Sequence, residues 1–274
     1  MIDNIVKTKK NYSFLWTRDS DILPQNRWHF NSMQEVINES IVRGITGIDV
    51  GSGCGYDTYI MAKNNPSVRI VSLDLSDGVY SCKGLTSAFR NVMIIKSSVL
   101  DTPIKDDIFD FAYCYGVLHH TSDPTRGLRE IRRILKKDAP VFLYLYEDHS
   151  DNAIKYFGVK IVTLIRKITI RIPTRLLYFI SCLVSPFIVL VFSYPAKLFR
   201  RFKLTYGLYE KMPFNFGNGL FSLRGDIFDR LGTPIEHRFS KKEVVIMLSS
   251  CGFYNVSITK LKDTAGLVVW GYKK

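Results

Sequence analysis

At 274 residues the chain is long enough for one large α/β domain, or for a smaller domain carrying an insertion, so its core needs no covalent staples. Hydrophobic residues at 46% and charged residues at 23% exclude disorder as the default. The formal charge of +13 predicts attraction to something anionic: nucleic acid, an acidic lipid surface or a phosphorylated substrate. Cys54, Cys82, Cys114, Cys182 and Cys251 are scattered, with no CxxC pair and no His at zinc spacing, which argues against a disulfide framework or a metal site and for a reducing cytoplasm.

Residues 1–43 read as an N-terminal cap segment. Its first thirty residues mix Lys7, Lys9, Lys10, Arg18, Asp19 and Asp21 with polar residues and lack an apolar stretch, so no cleaved signal is expected. From Gly44 to about Tyr146 short apolar runs alternate with helix-like segments, the signature of consecutive βα units. Strands are expected at 45–50, 69–74, 92–96, 110–115 and 140–146, with helices near 58–64, 77–90 and 125–136. Right-handed crossovers place these helices on both faces of a parallel sheet whose strand ends carry the ligand.

Residues from about Asn152 to Lys203 break the rhythm. They are apolar and basic, and from Leu176 to Ala196 there is no charge at all. Length permits a transmembrane helix, yet Ser181, Ser185, Pro186, Ser193 and Pro195 should interrupt it, and basic residues on both flanks oppose a single span. A span, an interfacial or re-entrant helical pair, and a soluble helical lid all remain open. After Gly225 the α/β pattern returns: Ser240-Lys241-Lys242-Glu243 reads as a capping box, Glu243–Ser250 as a helix and Gly252 as its stop. Strands at 254–261 and 267–272 follow, joined at 262–266 by a connection compatible with a hairpin. The expected architecture is a doubly wound, mostly parallel seven-stranded sheet of the Rossmann-like type, with 44–150 as a ligand-binding core, 151–224 inserted between strands five and six, and 225–274 completing the core.

Asp49-Val50-Gly51-Ser52-Gly53-Cys54-Gly55 ends the first strand and opens a helix, where the backbone must turn sharply with no Cβ in the ligand's way. Asp74 ends the second strand, where a carboxylate can accept both ribose hydroxyls. Nicotinamide enzymes share that carboxylate, but their fingerprint wants Gly or Ala where Tyr56 stands, and Asp49 and Asp57 would repel a pyrophosphate. A sulfonium ligand with an α-amino group, S-adenosylmethionine (SAM), matches these acids better than a dinucleotide or a purely structural loop does.

Asp49-x-Gly51-x-Gly53-x-Gly55, Asp74, Pro103 with Phe109-Asp110, and Val117-Leu118-His119-His120 with Arg129-Glu130 and Arg133-Ile134-Leu135 together resemble the SAM-binding domain of class I small-molecule methyltransferases, including the ubiquinone/menaquinone type. The resemblance runs from Gly44 to Tyr146. It implies that the glycine loop holds the methionine part through Gly51 and Gly53, with Asp49 and Gly55 also cofactor-binding, that Asp74 holds the ribose and that Leu75 flanks the adenine; Tyr115, at the end of the fourth strand, is expected to line the pocket. The family's Asp before Pro103 is here Ser98, whose hydroxyl accepts the adenine amine more weakly, with the backbone of Val99 beside it. Phe14-Leu15-Trp16-Thr17-Arg18 resembles an aromatic segment that folds over the site in related glycan- and lipid-cluster enzymes; simple anchoring of the N-terminus by Trp16 is the alternative.

Methyl transfer from a sulfonium is an in-line displacement, so alignment and exclusion of water come first. An alcohol acceptor must also lose a proton, and His119 or His120 is the candidate base, with a capping or loop-filling role as the alternative. Glu147, Asp148 and His149 lie at the ligand edge or in a solvated loop, Asp101, Asp106 and Asp107 read as turn residues, and Arg238 as an anion contact or a surface residue. The expected acceptor is a hydroxyl or carbon of a hydrophobic or lipid-linked molecule or glycan, with residues 152–203 over the acceptor site or against an anionic membrane. That places the chain in the cytoplasm, peripheral to the inner face of the membrane. The rivals are an RNA methyltransferase, for which no separate basic and aromatic module is visible, and a non-catalytic SAM-binding membrane protein.

Overall fold

The computed structural model describes residues 2–18, 44–260 and 266–274. The expected cap over 19–43 and the connection at 262–265 therefore lie outside the described residues. In chain order the elements are α1 (Ile2–Arg18), β1 (Thr46–Val50), α2 (Tyr56–Asn64), β2 (Arg69–Asp74), α3 (Gly78–Leu85), β3 (Val92–Lys96), β4 (Phe111–Tyr115), α4 (Pro124–Ile134) and β5 (Pro140–Tyr146). Then come α5 (Ala153–Thr169), α6 (Thr174–Ile188), α7 (Tyr194–Arg200), α8 (Tyr206–Lys211), α9 (Arg224–Gly232), α10 (Lys241–Ser250), β6 (Phe253–Thr259) and β7 (Gly266–Lys273).

The chain divides into two compact units. The larger, made of described residues 12–18, 44–147, 235–260 and 266–274, is built on a seven-stranded sheet of order β3-β2-β1-β4-β5-β7-β6. Strands β1 to β5 pair in parallel, while β7 runs antiparallel to both β5 and β6. The strand order reverses between β1 and β4, which opens a crevice at their carboxyl ends. Both faces of the central strands are covered, and their near-continuous apolar sequence follows from that: Ile48, Val50, Ala112 and Cys114 pack on one face, Phe111, Tyr113, Phe142 and Tyr144 on the other.

The expected seven strands and the Rossmann-like class are present, as is the helical insertion between β5 and β6. The helix expected over 77–90 ends sooner, at Leu85. Thr86 turns its hydroxyl back onto the Cys82 carbonyl and its N–H onto the same oxygen, and a turn from Thr86 to Phe89 follows. Asp107 has φ 56 and sits in the left-handed region, in keeping with its reading as a turn residue.

The capping box is present: Ser240 Oγ accepts the Glu243 N–H while Glu243 accepts the Ser240 N–H at 2.8 Å. Ser240→Ala should lower stability by about 1 kcal/mol, read as a lower urea midpoint. An unchanged midpoint would mean that burial of Val244 and Leu248 alone sets this helix.

Asp110 ties the start of β1 to β4, accepting the N–H groups of Ile45 (2.8 Å) and Thr46 (2.9 Å) and the Lys136 ammonium at 2.7 Å. Burial works against its charge, but Lys136 and the two amides outweigh it and hold the carboxyl down at about 2. A depressed folded value means that this stabilisation is complete above the unfolded value of 3.8 and is lost as pH falls toward 2. With screening by water it is about 1 kcal/mol. The stability difference between wild type and Asp110→Asn should therefore shrink through that acid window; a difference constant with pH would refute the assignment.

The smaller unit comprises described residues 2–11 and 148–234. Asn11 joins its parts, donating to the Gly232 carbonyl at 2.6 Å and accepting the Thr174 hydroxyl at 2.8 Å. The expected interruption of the apolar segment does not occur: Thr174–Arg200 is one helical run of 27 residues. Pro186 and Pro195 lack the N–H a regular helix needs, and the wide π-turn at Val189–Ser193 between them absorbs the mismatch without a break.

Candidate cofactor and acceptor site

Four glycines shape the crevice. Gly51, Gly53 and Gly55 all have positive φ, so the chain leaves β1 through turns that side chains resist. The N–H groups of Gly51 and Ser52 both reach the Leu73 carbonyl, at 2.6 and 3.2 Å, which ties the loop to the end of β2. Gly116, just beyond β4, also has positive φ, and open space lies where its Cβ would be. At Gly51 a methyl group would fall on the Val117 side chain.

Gly51→Ala combines left-handed strain at φ +76 with that overlap, and should cost roughly 2–3 kcal/mol in thermal or urea unfolding. Val117→Ala in the same chain should restore part of the loss, because it relieves the overlap and leaves the strain. Strict additivity of the two losses would rule the overlap out.

Asp74 is buried at the end of β2. One carboxylate oxygen accepts the Gly53 N–H at 2.8 Å, the other the Ser76 N–H at 2.6 Å. Each oxygen has capacity for a further donor, so the group fits the hydroxyls of a ribose while holding the glycine loop in place. Next to it Leu75 is exposed, as a residue flanking a ring must be. Asp49 is buried and accepts the Thr58 hydroxyl at 2.6 Å; Asp57, also buried, accepts the Tyr113 hydroxyl at 3.1 Å. Burial, with the Asp57 carboxylate second, pushes the Tyr113 phenol well above its ordinary value, so it stays a donor to that acid.

The Ser98 hydroxyl accepts the Leu100 N–H at 3.1 Å within a turn closed by the Asp101 N–H. One lone pair is thereby used, so its capacity toward an adenine amine is smaller than that of the family's carboxylate. The Val99 side chain is buried in the core, so only its backbone has the chance to meet a ligand. Tyr115 stacks on Tyr144 with ring centroids 4.3 Å apart, in register across β4 and β5, and belongs to an aromatic layer on that face.

The aromatic segment of α1 lies on the glycine loop. The Trp16 indole sits against the position a Gly53 Cβ would take, the Trp16 Cβ lies against that of Gly78, and Ser13 Oγ accepts the Asp77 N–H at 2.9 Å. Trp16 thus both anchors and covers. Tyr12, one turn earlier, stacks on Trp16 and reaches the His120 ring at 5.4 Å. Tyr12 escaped the sequence reading, although its i, i+4 spacing to Trp16 was a legible sign of a shared helix face.

His119 and His120 form a short 3₁₀ turn after β4. Their environments differ. His119 is fully buried, stacked on Tyr146 at 3.9 Å, with Nδ1 accepting the Tyr146 N–H at 3.4 Å and Nε2 without a hydrogen-bond partner among the described residues. Burial first, then the nearby His120, Arg238 and His237, pull its proton affinity well below the ordinary histidine value, so it stays neutral. His120 Nδ1 lies 2.9 Å from the Ile235 carbonyl, which can only accept. Nδ1 therefore carries the proton in the neutral ring and Nε2 is its basic nitrogen.

Two sequence readings change. Arg238 is neither a surface residue nor poised for an anion: it is largely buried, ion-paired with Glu236 at 2.7 Å, bonded to the Glu147 carbonyl at 3.0 Å and stacked over Tyr146. Glu147 is not in a solvated loop but buried, with Lys260 at 2.8 Å. Asp148 accepts the Ser150 N–H and hydroxyl in a turn, and His149 is buried at positive φ.

Residues 48–143 match the family described as a methyltransferase domain. A tRNA (carboxymethyluridine(34)-5-O)-methyltransferase of Saccharomyces cerevisiae is 36% identical over 95 residues, 34% of this chain and 32% of that protein. A chloroplastic 2-methyl-6-phytyl-1,4-hydroquinone methyltransferase of Oryza sativa is 28% identical over 127 residues, 46% of this chain and 38% of that protein. The chain thus spans only about a third of the length of these curated relatives. A SAM-dependent methyltransferase from Aquifex aeolicus shares the fold, with TM-score 0.51 and 15% identity, covering 88% of this chain and 89% of that one. Residues 48–143, about a third of this chain, thus match a methyltransferase domain, and the chain shares its fold with a SAM-dependent methyltransferase.

Proposed function

We propose that the chain is a cytoplasmic enzyme that transfers a methyl group from SAM to a hydroxyl or carbon of a hydrophobic or lipid-linked small molecule. The observation that carries this reading is the joint between the glycine loop and Asp74 at the strand-order reversal, with Trp16 laid over it. Bound SAM supplies an electrophilic methyl on a sulfonium. Asp74 would hold the ribose, Gly51, Gly53 and the open side of Gly116 would admit the methionine part, and Leu75 would flank the adenine. Tyr12 and Trp16 exclude water from that loop, which strengthens every polar contact beneath them. The His120 Nε2 would take the proton of a hydroxyl acceptor.

An apolar acceptor is favoured by the Tyr12, Tyr146 and His119 rings gathered beyond β4 and β5, and by the relative that acts on a phytyl hydroquinone. The tRNA-modifying relative favours RNA as the second reading. Incubation with methyl-labelled SAM and, separately, a total lipid extract or bulk RNA separates the two. Label in the organic phase supports the proposal; label retained only in acid-precipitable RNA overturns it. Calorimetric titration with SAM and NADH tests the cofactor itself: micromolar SAM binding without NADH binding is expected, and no SAM binding would sink the reading.

A further inference from the structure

The helical run Thr174–Arg200 is inside out. Its inward side carries hydroxyls: Thr174, Ser181, Ser185 and Ser193 are buried, the last three donating to the carbonyls of Leu177, Leu220 and Phe214. Its outward side carries large apolar side chains: Leu176, Phe179, Leu183, Phe187, Leu190 and Leu198 are all exposed, between 51% and 64%. With the exposed Tyr194 between Leu190 and Leu198, their spacing of three and four residues makes one stripe along the helix. The same spacing recurs on α5, where Ile154, Phe157, Ile161, Leu164 and Ile168 are exposed. Water disfavours such stripes, and monomeric soluble proteins rarely expose contiguous ones.

What covers them is indicated by charge. Residues 152–209 hold ten Lys and Arg and not one Asp or Glu, so this stretch carries most of the net +13. Lys160, Lys167, Arg171, Arg175, Arg201 and Lys203 are exposed beside the stripes or at their ends. Apolar face, basic rim and absence of acids are the complement of an anionic lipid surface.

A lone crossing helix does not fit. The inward side of α6 packs on α9, which also packs on α5. That helix carries Arg224, whose Nε donates to the Tyr178 hydroxyl at 3.0 Å, and the Asp226–Arg230 ion pair at 2.7 Å. Such groups beside a span would stand in hydrocarbon, where charge is costly. In the plane of the interface they stay on the wet side while the stripes enter the acyl boundary.

We infer that α5 and the α6–α7 run are an in-plane anchor that docks this chain on an anionic bilayer without crossing it. The residues of this surface are not those assigned to the cofactor, and its test does not depend on methyl transfer.

The test is flotation of the full chain with vesicles of phosphatidylcholine alone or mixed with phosphatidylglycerol. Binding to the anionic vesicles should be about tenfold greater. Leu183→Gln with Phe187→Gln should remove binding without lowering the melting temperature, since both side chains face outward. Arg201→Glu with Lys203→Glu should abolish the preference for anionic lipid, and as surface changes these leave the fold intact. No binding to either vesicle, or equal binding to both, overturns the inference. So does self-association that the Gln pair removes, which would make the partner a second copy. Resistance of membrane-bound protein to both high salt and alkaline carbonate, with protease-protected loops, would establish a span and overturn it as well.

Discussion

Asp74→Ala is expected to weaken SAM binding by about two to four orders of magnitude while the protein still folds. Two hydrogen bonds from ribose hydroxyls to a buried carboxylate are worth about 1.5–3 kcal/mol each, and about 1.4 kcal/mol is a factor of ten. The substitution also orphans the N–H groups of Gly53 and Ser76, so the loop loses the bond that seats it against β2. Asp74→Asn separates these effects. An amide keeps the shape but offers one acceptor and one donor, so it can satisfy only one of the two backbone N–H groups. It should fall between wild type and alanine. Calorimetry reads the affinity, and circular dichroism with thermal unfolding reads the fold. Alanine binding SAM within threefold of wild type would remove Asp74 from the site.

The readable part of this chain was the part in which local chemistry and global packing ask for the same residues. The strand at Pro140–Tyr146 is buried on both faces, so it is a continuous apolar run bounded by turns. Glycine at 51, 53 and 55, together with Asp74, could be placed because backbone geometry and ligand chemistry restrict those positions jointly. The capping box at Ser240 was legible for a similar reason, since its two hydrogen bonds lie within four residues.

Long-range pairing was not legible. That Arg238 would be taken by Glu236 and by the backbone of Glu147, 91 residues away, depends on β5 lying beside the 235–239 segment. The apolar segment misled for the opposite reason. Serines and prolines read as interruptions when counted along the chain, yet Ser181, Ser185 and Ser193 share one inward side and find carbonyls there, while the π-turn accommodates the prolines. Composition revealed an unusual helix. Only the burial pattern revealed which way it faces.

The two histidines after β4 should separate in kinetics and in stability. His120→Ala is expected to lower kcat by about 10²- to 10⁴-fold on a hydroxyl acceptor, the usual contribution of a positioned base, with SAM affinity little changed. His119→Phe keeps the ring stack on Tyr146 and should leave kcat within a few-fold, because a buried ring held neutral takes up no proton in the reaction. Its signature lies elsewhere. The folded state holds His119 below the ordinary value of 6.5, whereas the unfolded chain protonates it there. Stability from this group is therefore complete above that value and falls as pH drops below it, by up to about 1.4 kcal/mol per pH unit. His119→Phe should flatten this part of the stability profile, in a window well above the acid one assigned to Asp110. Urea unfolding across pH 5 to 8 reads the slope. A wild-type slope that survives in His119→Phe would place the titration in another group, and full kcat in His120→Ala would leave the acceptor's proton to water.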